Sequence, residues 1–452
     1  MTQTGRYPLS FTQQYFCSLD DGDLKGAFGN RFTIVSALRI AGHVDVPALQ
    51  GALDDVVRRH ELLRTVVVRD AQPPYQQVYP PCQVPLEIRD RPAEDRPREL
   101  IAEELIIEAE KSTMTPRQVP VMRATFTRFD DRDSVLVLVV HHSASDAWSQ
   151  SVILRDLAAF YDARAHDRTP ELPPVKQYRE YAEWQRAGTA DDSVARRYWR
   201  EKLSGARVLA LPNDNPRPEV YSRPFSAHNY VVSAEEMAAT VRFARETRSS
   251  MFMVLLAAFS VFVHEMTGLP DPGIRAFTTG RNEAAFQNTM GLFMNLVPFR
   301  TDISQCASFR EIVAATKDTC LDAYAHEVPI SVIEQDLPDF NSPHDDPKNS
   351  QFVLGMFQSR PNSATTLPIA DGARQAFKRT LPSKETSDIP SGMSWSMAIG
   401  GRSDDLLGNV VYNADEFGER KVAGWAADYN RILSRLANEP DREWRQLADL
   451  AR

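Results

Sequence analysis

The chain has 452 residues, 42% of them hydrophobic and 25% charged, which excludes wholesale disorder and, at about 150 residues per domain, allows two or three lobes. Acids outnumber bases 61 to 52, a net charge of −9, so no general nucleic-acid binder is expected. The longest apolar run, Met251 to Val263, falls short of the about 20 residues a membrane span needs and reads as a buried core helix.

No membrane association is expected, and Met1-Thr2-Gln3-Thr4-Gly5-Arg6 lacks the apolar core of a signal peptide. Cys17, Cys82, Cys306 and Cys320 are scattered without CxxC spacing. They read as free thiols of a cytoplasmic protein, neither a disulfide framework nor a zinc site.

In chain order, Phe32 to Leu38 is predicted as a strand. Asp45 then caps a helix with Pro47 in its first turn and Leu49, Leu53, Val56 and Val57 on one face. Val66 to Val68 and Gln77 to Tyr79 are extended, with a turn at Pro73-Pro74 between them. A helix covers Arg96 to Ser112. Val135 to Val140 is a continuous apolar run, the pattern of a strand buried on both faces, and it ends at His141-His142. Trp148, Val152, Ile153, Leu157, Phe160 and Tyr161 then repeat at helical spacing.

Proline-rich, charged stretches at Asp167–Pro174 and Leu211–Pro224 flank a helical region, Tyr178 to Leu203, and a lobe boundary is expected there. Further helices are predicted over Ala234–Thr247, from Met251, and over Arg420–Leu436, with an irregular stretch at Asp336–Ser350. The alternation of strands and helices predicts two α/β lobes, residues 1–176 and 177–452.

Several common catalytic signatures are missing: there is no GxxxxGK[ST], GxGxxG, GxSxG or HExxH. What remains is His141-His142-Ser143-Ala144-Ser145-Asp146-Ala147-Trp148-Ser149, two histidines at the end of a buried strand with an acid four residues after the second. A strand end hands side chains to a cleft, and imidazole moves protons near neutral pH. Adjacent strand residues point to opposite faces, so one histidine faces the cleft and no metal is expected.

This segment resembles the HHxxxDG core of the condensation domains of nonribosomal peptide synthetases. The other family motifs occur in order. They are Pro8-Leu9-Ser10 with Gln13-Gln14, Arg59-His60-Glu61-Leu62-Leu63-Arg64-Thr65 (RHExLRT), and Tyr178-Arg179-Glu180-Tyr181-Ala182-Glu183-Trp184-Gln185 (YxDFAxWQ). Gly280-Arg281 with Met290 to Arg300 (GR…GxFxNxxPxR) and Tyr412-Asn413-Ala414-Asp415-Glu416-Phe417 (YNxDLF) complete the set. The resemblance spans residues 8 to 417. It departs from the family at Ala147, which replaces the motif glycine, and in the HQDxPFE motif, only loosely echoed around His326 or Glu334.

The resemblance implies two chloramphenicol-acetyltransferase-like lobes in a V-shaped pseudo-dimer, with a tunnel between them and crossover segments near 281–300 and 351–394. It implies His142 as the residue facing the tunnel, with His141 and Asp146 mainly structural and Asp146 paired with Arg64. Ala147 and Ser149 would support the site, and Trp148, Gly291, Met294 and Asn295 would line the tunnel.

The implied reaction is acyl transfer from a carrier-protein thioester to an amine or hydroxyl, free or carrier-bound. No cofactor is bound directly, because the phosphopantetheine arm arrives on a peptidyl carrier protein. The alternatives are a CoA-dependent acyltransferase of the HxxxD type and a non-catalytic domain that recruits tailoring enzymes to a carrier. With the first motif at Pro8 and 35 residues after Phe417, a free-standing enzyme is expected.

Overall fold

Cap and turn residues set the element boundaries from the first turn onward. After β1 (Gly5–Pro8), Ser10 and Gln13 form a reciprocal capping box that starts α1 (Phe11–Ser18). β2 (Thr33–Ala41) follows, and Asp45 caps α2 (Val46–Arg59), with Pro47 in the first turn where a missing N–H is harmless. Then come β3 (Thr65–Val68), β4 (Tyr75–Val78), β5 (Leu86–Asp90), α3 (Arg98–Lys111), β6 (Met122–Asp130) and β7 (Asp133–His141). Asp146 caps α4 (Ala147–Ala165), and α5 (Tyr178–Gly188) follows.

The later chain forms α6 (Ser193–Lys202), β8 (Ala210–Pro212), β9 (Phe225–Val232), α7 (Ala234–Glu246) and α8 (Met251–Thr267). Next are β10 (Gly273–Thr278), β11 (Asn295–Arg300), α9 (Phe309–Ala325), α10 (Ile330–Asp336), β12 (Asn349–Gln358) and β13 (Gly372–Ala376). The last elements are β14 (Met393–Ile399), β15 (Leu406–Asn413), α11 (Glu419–Asn438) and α12 (Trp444–Ala448). This computed structural model describes residues 5–91, 95–188, 193–219, 221–358, 366–376, 381, 383–389, 392–399 and 405–448.

The chain divides into two units. Unit 1 is Met1–Asp191, Thr279–Met294 and Arg360–Pro390; unit 2 is Asp192–Thr278, Asn295–Ser359 and Ser391–Arg452. The division differs from the expected break at 176. α5 belongs to unit 1, because Tyr178 at its start hydrogen-bonds Ser10 and the Leu292 carbonyl. The predicted helical region Tyr178–Leu203 is two helices, α5 and α6.

In unit 1 the main sheet has the order β13-β2-β7-β6-β5, with β7 antiparallel to both neighbours. Both faces of β7 are covered. Leu136, Leu138 and Val140 join Leu49, Leu53 and Val56 of α2 and Ile153 and Leu157 of α4 in one core. Val135 and Val137 pack on the other face against Ile101, Leu105 and Ile106 of α3. That double burial is what the unbroken apolar run encodes. β3 and β4 pair antiparallel, and β1 joins them.

Unit 2 holds a sheet of order β11-β10-β12-β14-β15-β9, with β8 against β12. α8 is the predicted core helix, buried from Met253 to Val263 and closed by Gly268 in the left-handed conformation at φ 73°. No single helix among the described residues is long and apolar enough to cross a membrane. The centre of this core is aromatic: Trp395 of β14 packs edge-on against Phe259 and Tyr429, with ring centroids 5.4 and 5.5 Å away. Its indole N–H donates to the Tyr230 hydroxyl at 2.8 Å. Trp395→Ala is expected to destabilise the protein by about 3–5 kcal/mol in urea unfolding. Leu321→Ala, at a position 51% exposed, should stay within about 0.5 kcal/mol of wild type.

Candidate active site

The end of β7 and the start of α4 build the site from consecutive residues. His141, the last residue of β7, is fully buried. The Ser143 N–H donates to its Nδ1 at 3.1 Å, so its proton is on Nε2, which faces the Gly29 carbonyl at 3.0 Å. Burial pushes its pKa down to about 4. His141 is therefore a neutral structural residue at pH 7.

His142 opens the short turn that leads to α4 and is half-buried. Its backbone N–H donates to the Phe32 carbonyl at 2.9 Å, and its ring lies flat on the Phe32 ring, with centroids 4.4 Å apart and planes 9° apart. Phe16 approaches from the same aromatic group at 6.2 Å. Nδ1 is enclosed without a hydrogen-bond partner. Burial holds its pKa below the ordinary value of 6.5; nearby main-chain groups and the Asp146 charge offset part of that. A half-open imidazole that stays neutral at pH 7 can accept a proton.

Asp146 is the most heavily bonded group of the site and is 4% exposed. As the N-cap of α4 it accepts from the Ser149 N–H at 2.8 Å and the Ser149 hydroxyl at 2.7 Å. The Phe293 N–H donates to its other oxygen at 3.0 Å. The charge partner is Arg281, whose Nη2 lies 3.3 Å from Oδ1. With these donors in place the carboxylate is fully occupied and has no direct bond to either histidine.

The expected pairing of Asp146 with Arg64 is therefore corrected. Arg64 is buried in another network, donating to the Tyr79 carbonyl and lying 3.6 Å from Glu61. The rest of that motif ties helices together. Arg59 and His60 both reach Asp156 of α4, at 2.8 and 2.9 Å, and Glu61 pairs with Arg179 of α5 at 2.9 Å. Arg281 stands in the Gly280-Arg281 pair, but nothing local in the sequence marks it as the partner of Asp146. The available cue was chemical, since a buried carboxylate needs a cation.

Residues 279–294 link β10 to β11 and belong to unit 1. Arg281 also donates to the carbonyls of Phe286 (3.0 Å) and Thr289 (2.7 Å), and its guanidinium lies 3.8 Å from the Phe293 ring centroid. Ser149 accepts from the Gly291 N–H at 2.9 Å. Gly291 is buried so close to Tyr178 that a Cβ would fall 2.0 Å from the ring. Gly280 has φ +58°, and a Cβ there would meet the Phe293 carbonyl at 1.9 Å.

The other expected residues fall in different places. Ala147 is exposed as the first residue of α4, and Trp148 is half-buried, its indole N–H donating to the Gln287 carbonyl at 3.0 Å. Met294 is half-buried and packs on the unit 1 core. Asn295 belongs to unit 2, where its amide holds one loop: it donates to Glu327 (3.1 Å) and the Val328 carbonyl (2.8 Å) and accepts from the Ile330 N–H (3.1 Å). The four cysteines carry no disulfide. Among the described residues no three His, Cys, Asp or Glu side chains group as a metal site.

A family model described as Condensation domain matches residues 3–450. The chain belongs to the condensation-domain family. Among the curated relatives, linear gramicidin synthase subunits C and D of Brevibacillus parabrevis are 30% and 31% identical over 96% and 95% of this chain. The chain spans 6% and 8% of their lengths. The crystal structure of SgcC5 from Streptomyces globisporus, in complex with (R)-(-)-1-(2-naphthyl)-1,2-ethanediol and sucrose, matches with a TM-score of 0.91 and 36% identity. That match covers 96% of this chain and 100% of SgcC5. The X-domain from teicoplanin biosynthesis matches at 0.76 and 26% over 98% of both chains, and a complex of the X-domain and OxyB also matches, at 0.74 and 26%. The α/β architecture of this chain is thus that of condensation domains of peptide synthetases.

Removing either charge of the Asp146–Arg281 pair strands the other in a buried site. Asp146→Ala and Arg281→Ala are each expected to cost about 3–5 kcal/mol in urea unfolding. Their double mutant should lose much less than the sum, whereas Asp146→Ala and Arg64→Ala should be additive within about 0.5 kcal/mol. His141 gives a pH signature. Its folded pKa, about 4, lies below the ordinary 6.5, so its contribution is complete above pH 6.5 and fades as pH falls towards 4. The drop is about 3 kcal/mol, and His141→Asn should flatten that part of the stability–pH curve.

Proposed function

We propose that this condensation domain transfers an acyl group from a carrier-protein phosphopantetheine thioester to a hydroxyl acceptor, with His142 as general base. The observation that carries the reading is His142 itself: half-open, neutral, and placed at a strand end by backbone bonds. The hydroxyl is favoured over the amine because SgcC5, 36% identical, was crystallised with an arylethanediol. An amine with a pKa near 7.7–8.0 is already partly neutral at pH 7, whereas an alcohol needs its proton removed as it attacks.

In this reading the acceptor oxygen attacks the thioester carbonyl while its proton passes to His142. The tetrahedral oxyanion lies near the start of α4, where the first backbone N–H groups have no intrahelical partner and the helix end is positive. Collapse breaks the C–S bond, and the proton returns from His142 to the departing pantetheine sulfur. The products are the ester and the free carrier thiol. Asp146 takes no proton; it fixes the helix cap.

The second reading, a recruiting domain, rests on the X-domain crystallised with OxyB. Single-turnover assays with a carrier-bound donor and an arylethanediol separate the two. His142→Ala should lower the rate at least about a hundredfold while the melting temperature changes by only a few degrees. Turnover near the wild-type rate would remove the base. In the intact protein the acid limb of kcat/KM should lie below pH 6.5, because burial depresses the His142 pKa. Raising salt from about 0.05 to 0.5 M should slow the carrier-bound donor more than a short pantetheine thioester of the same acyl group. Equal salt sensitivity, or a preference for acyl-CoA, would favour the CoA-dependent alternative.

A further inference from the structure

Among the described residues no side-chain hydrogen bond orients the His142 ring. A base in a catalytic triad is held by a carboxylate on its second nitrogen, but here Nδ1 has no partner and Asp146 is occupied elsewhere. Main-chain groups at His142 and Ser145 act on the ring, and packing supplies the remaining constraint on the imidazole plane.

The tripeptide Arg31-Phe32-Thr33 fits that need. The Phe32 ring is 3% exposed, lies flat on His142 at 4.4 Å, and stands edge-on to His141 at 6.3 Å and 85°. Its carbonyl takes the His142 N–H. The Phe16 ring flanks both, 5.6 Å from Phe32 and 6.2 Å from His142. The neighbours on either side reach in another direction, to residues 385–388 of the same unit. Arg31 donates to the Glu385 carboxylate (2.6 Å) and the Thr386 carbonyl (2.8 Å) and lies 3.4 Å from Asp388. The Asp388 N–H donates back to the Arg31 carbonyl at 3.0 Å, and the hydroxyls of Thr33 and Ser387 meet at 3.1 Å. One end of the tripeptide's contacts holds the far segment, and the other holds the imidazole.

Resting on the reading of His142 as the base, we infer that Phe32 is its positioning residue, fixing the ring by stacking where a triad uses a carboxylate, and that the clasp of Arg31 and Thr33 on residues 385–388 fixes Phe32. A reacting group misplaced by about 1 Å can lose about a hundredfold in rate. The energetic role is geometric. Phe32 touches no reacting atom.

Steady-state kinetics of the full chain with a carrier-bound donor test this. Phe32→Leu keeps an apolar side chain but removes the flat ring; kcat should fall about 10- to 100-fold with KM unchanged within twofold. Phe126→Leu is the stability control, since Phe126 is equally buried in the same core and contacts neither histidine, and its kcat should stay within twofold of wild type. Glu385→Gln, at a carboxylate 38% exposed, should lower kcat by a smaller factor in the wild-type background and have no further effect in Phe32→Leu. The inference is overturned if Phe32→Leu keeps its kcat, if its KM rises in proportion, or if Phe126→Leu loses kcat equally. Independent, multiplicative effects of Glu385→Gln and Phe32→Leu would overturn the clasp. If His142→Ala turns over normally, the base assignment fails first and takes this inference with it.

Discussion

A carboxylate buried beside a guanidinium is the constraint on which the site depends. Asp146 is at once the cap of α4, the partner of Arg281 and the acceptor for the Phe293 N–H. Two ions out of water need nearly every lone pair and proton satisfied, or the desolvation penalty exceeds their attraction. The four donor groups on Asp146 meet that condition, and on Arg281 two carbonyls and the Ser149 hydroxyl take the Nη protons while Nε is left without a partner among the described residues. One geometry then follows for the start of α4, and with it for the turn that carries His142. The same bonds hold residues 281–293, with Ser149 and Tyr178 gripping their backbone.

The two histidines differ through surroundings rather than type. His141 has both ring nitrogens near partners inside the fold and is driven to the neutral state by burial. His142 is also held neutral, but its ring rests on an aromatic surface and remains partly open. A neutral base at working pH is what acyl transfer to a hydroxyl requires, and no anion beside it is needed to produce that state. Burial dominates, and the main-chain bonds and the Asp146 charge only partly oppose it, so the chief contribution of Asp146 is to position the cap of α4.

The family motifs divide by physical job. The motif at residues 59–65 supplies two ion pairs, Arg59–Asp156 and Glu61–Arg179, and a His60–Asp156 hydrogen bond, which fasten α2 to α4 and α5. The glycines at 280 and 291 make room, one for a left-handed turn against a carbonyl and one for the Tyr178 ring. Residues far from the histidines thus shape the site through backbone position.

The sequence by itself determined the local elements and the family. β7 was legible because a strand buried on both faces has no polar positions, α2 because Asp45 caps it at the expected place, and α4 because its apolar residues repeat at helical spacing. It expected strand alternation to separate the histidines, but only His141 lies in β7; His142 begins the turn after it. The strands of the second half were not legible: β12 sits between β10 and β14, and β13 pairs with β2 of the other sheet, pairings that no local period reports. The partner of Asp146 was decided only by tertiary structure. Arg64 and Arg281 both stand in motifs, 82 and 135 residues from it, and chain distance says nothing about which guanidinium the fold brings to a buried carboxylate. The Phe32 stack escaped for the same reason: a phenylalanine at the start of a predicted strand reads as core, and only packing decides which ring it lies upon.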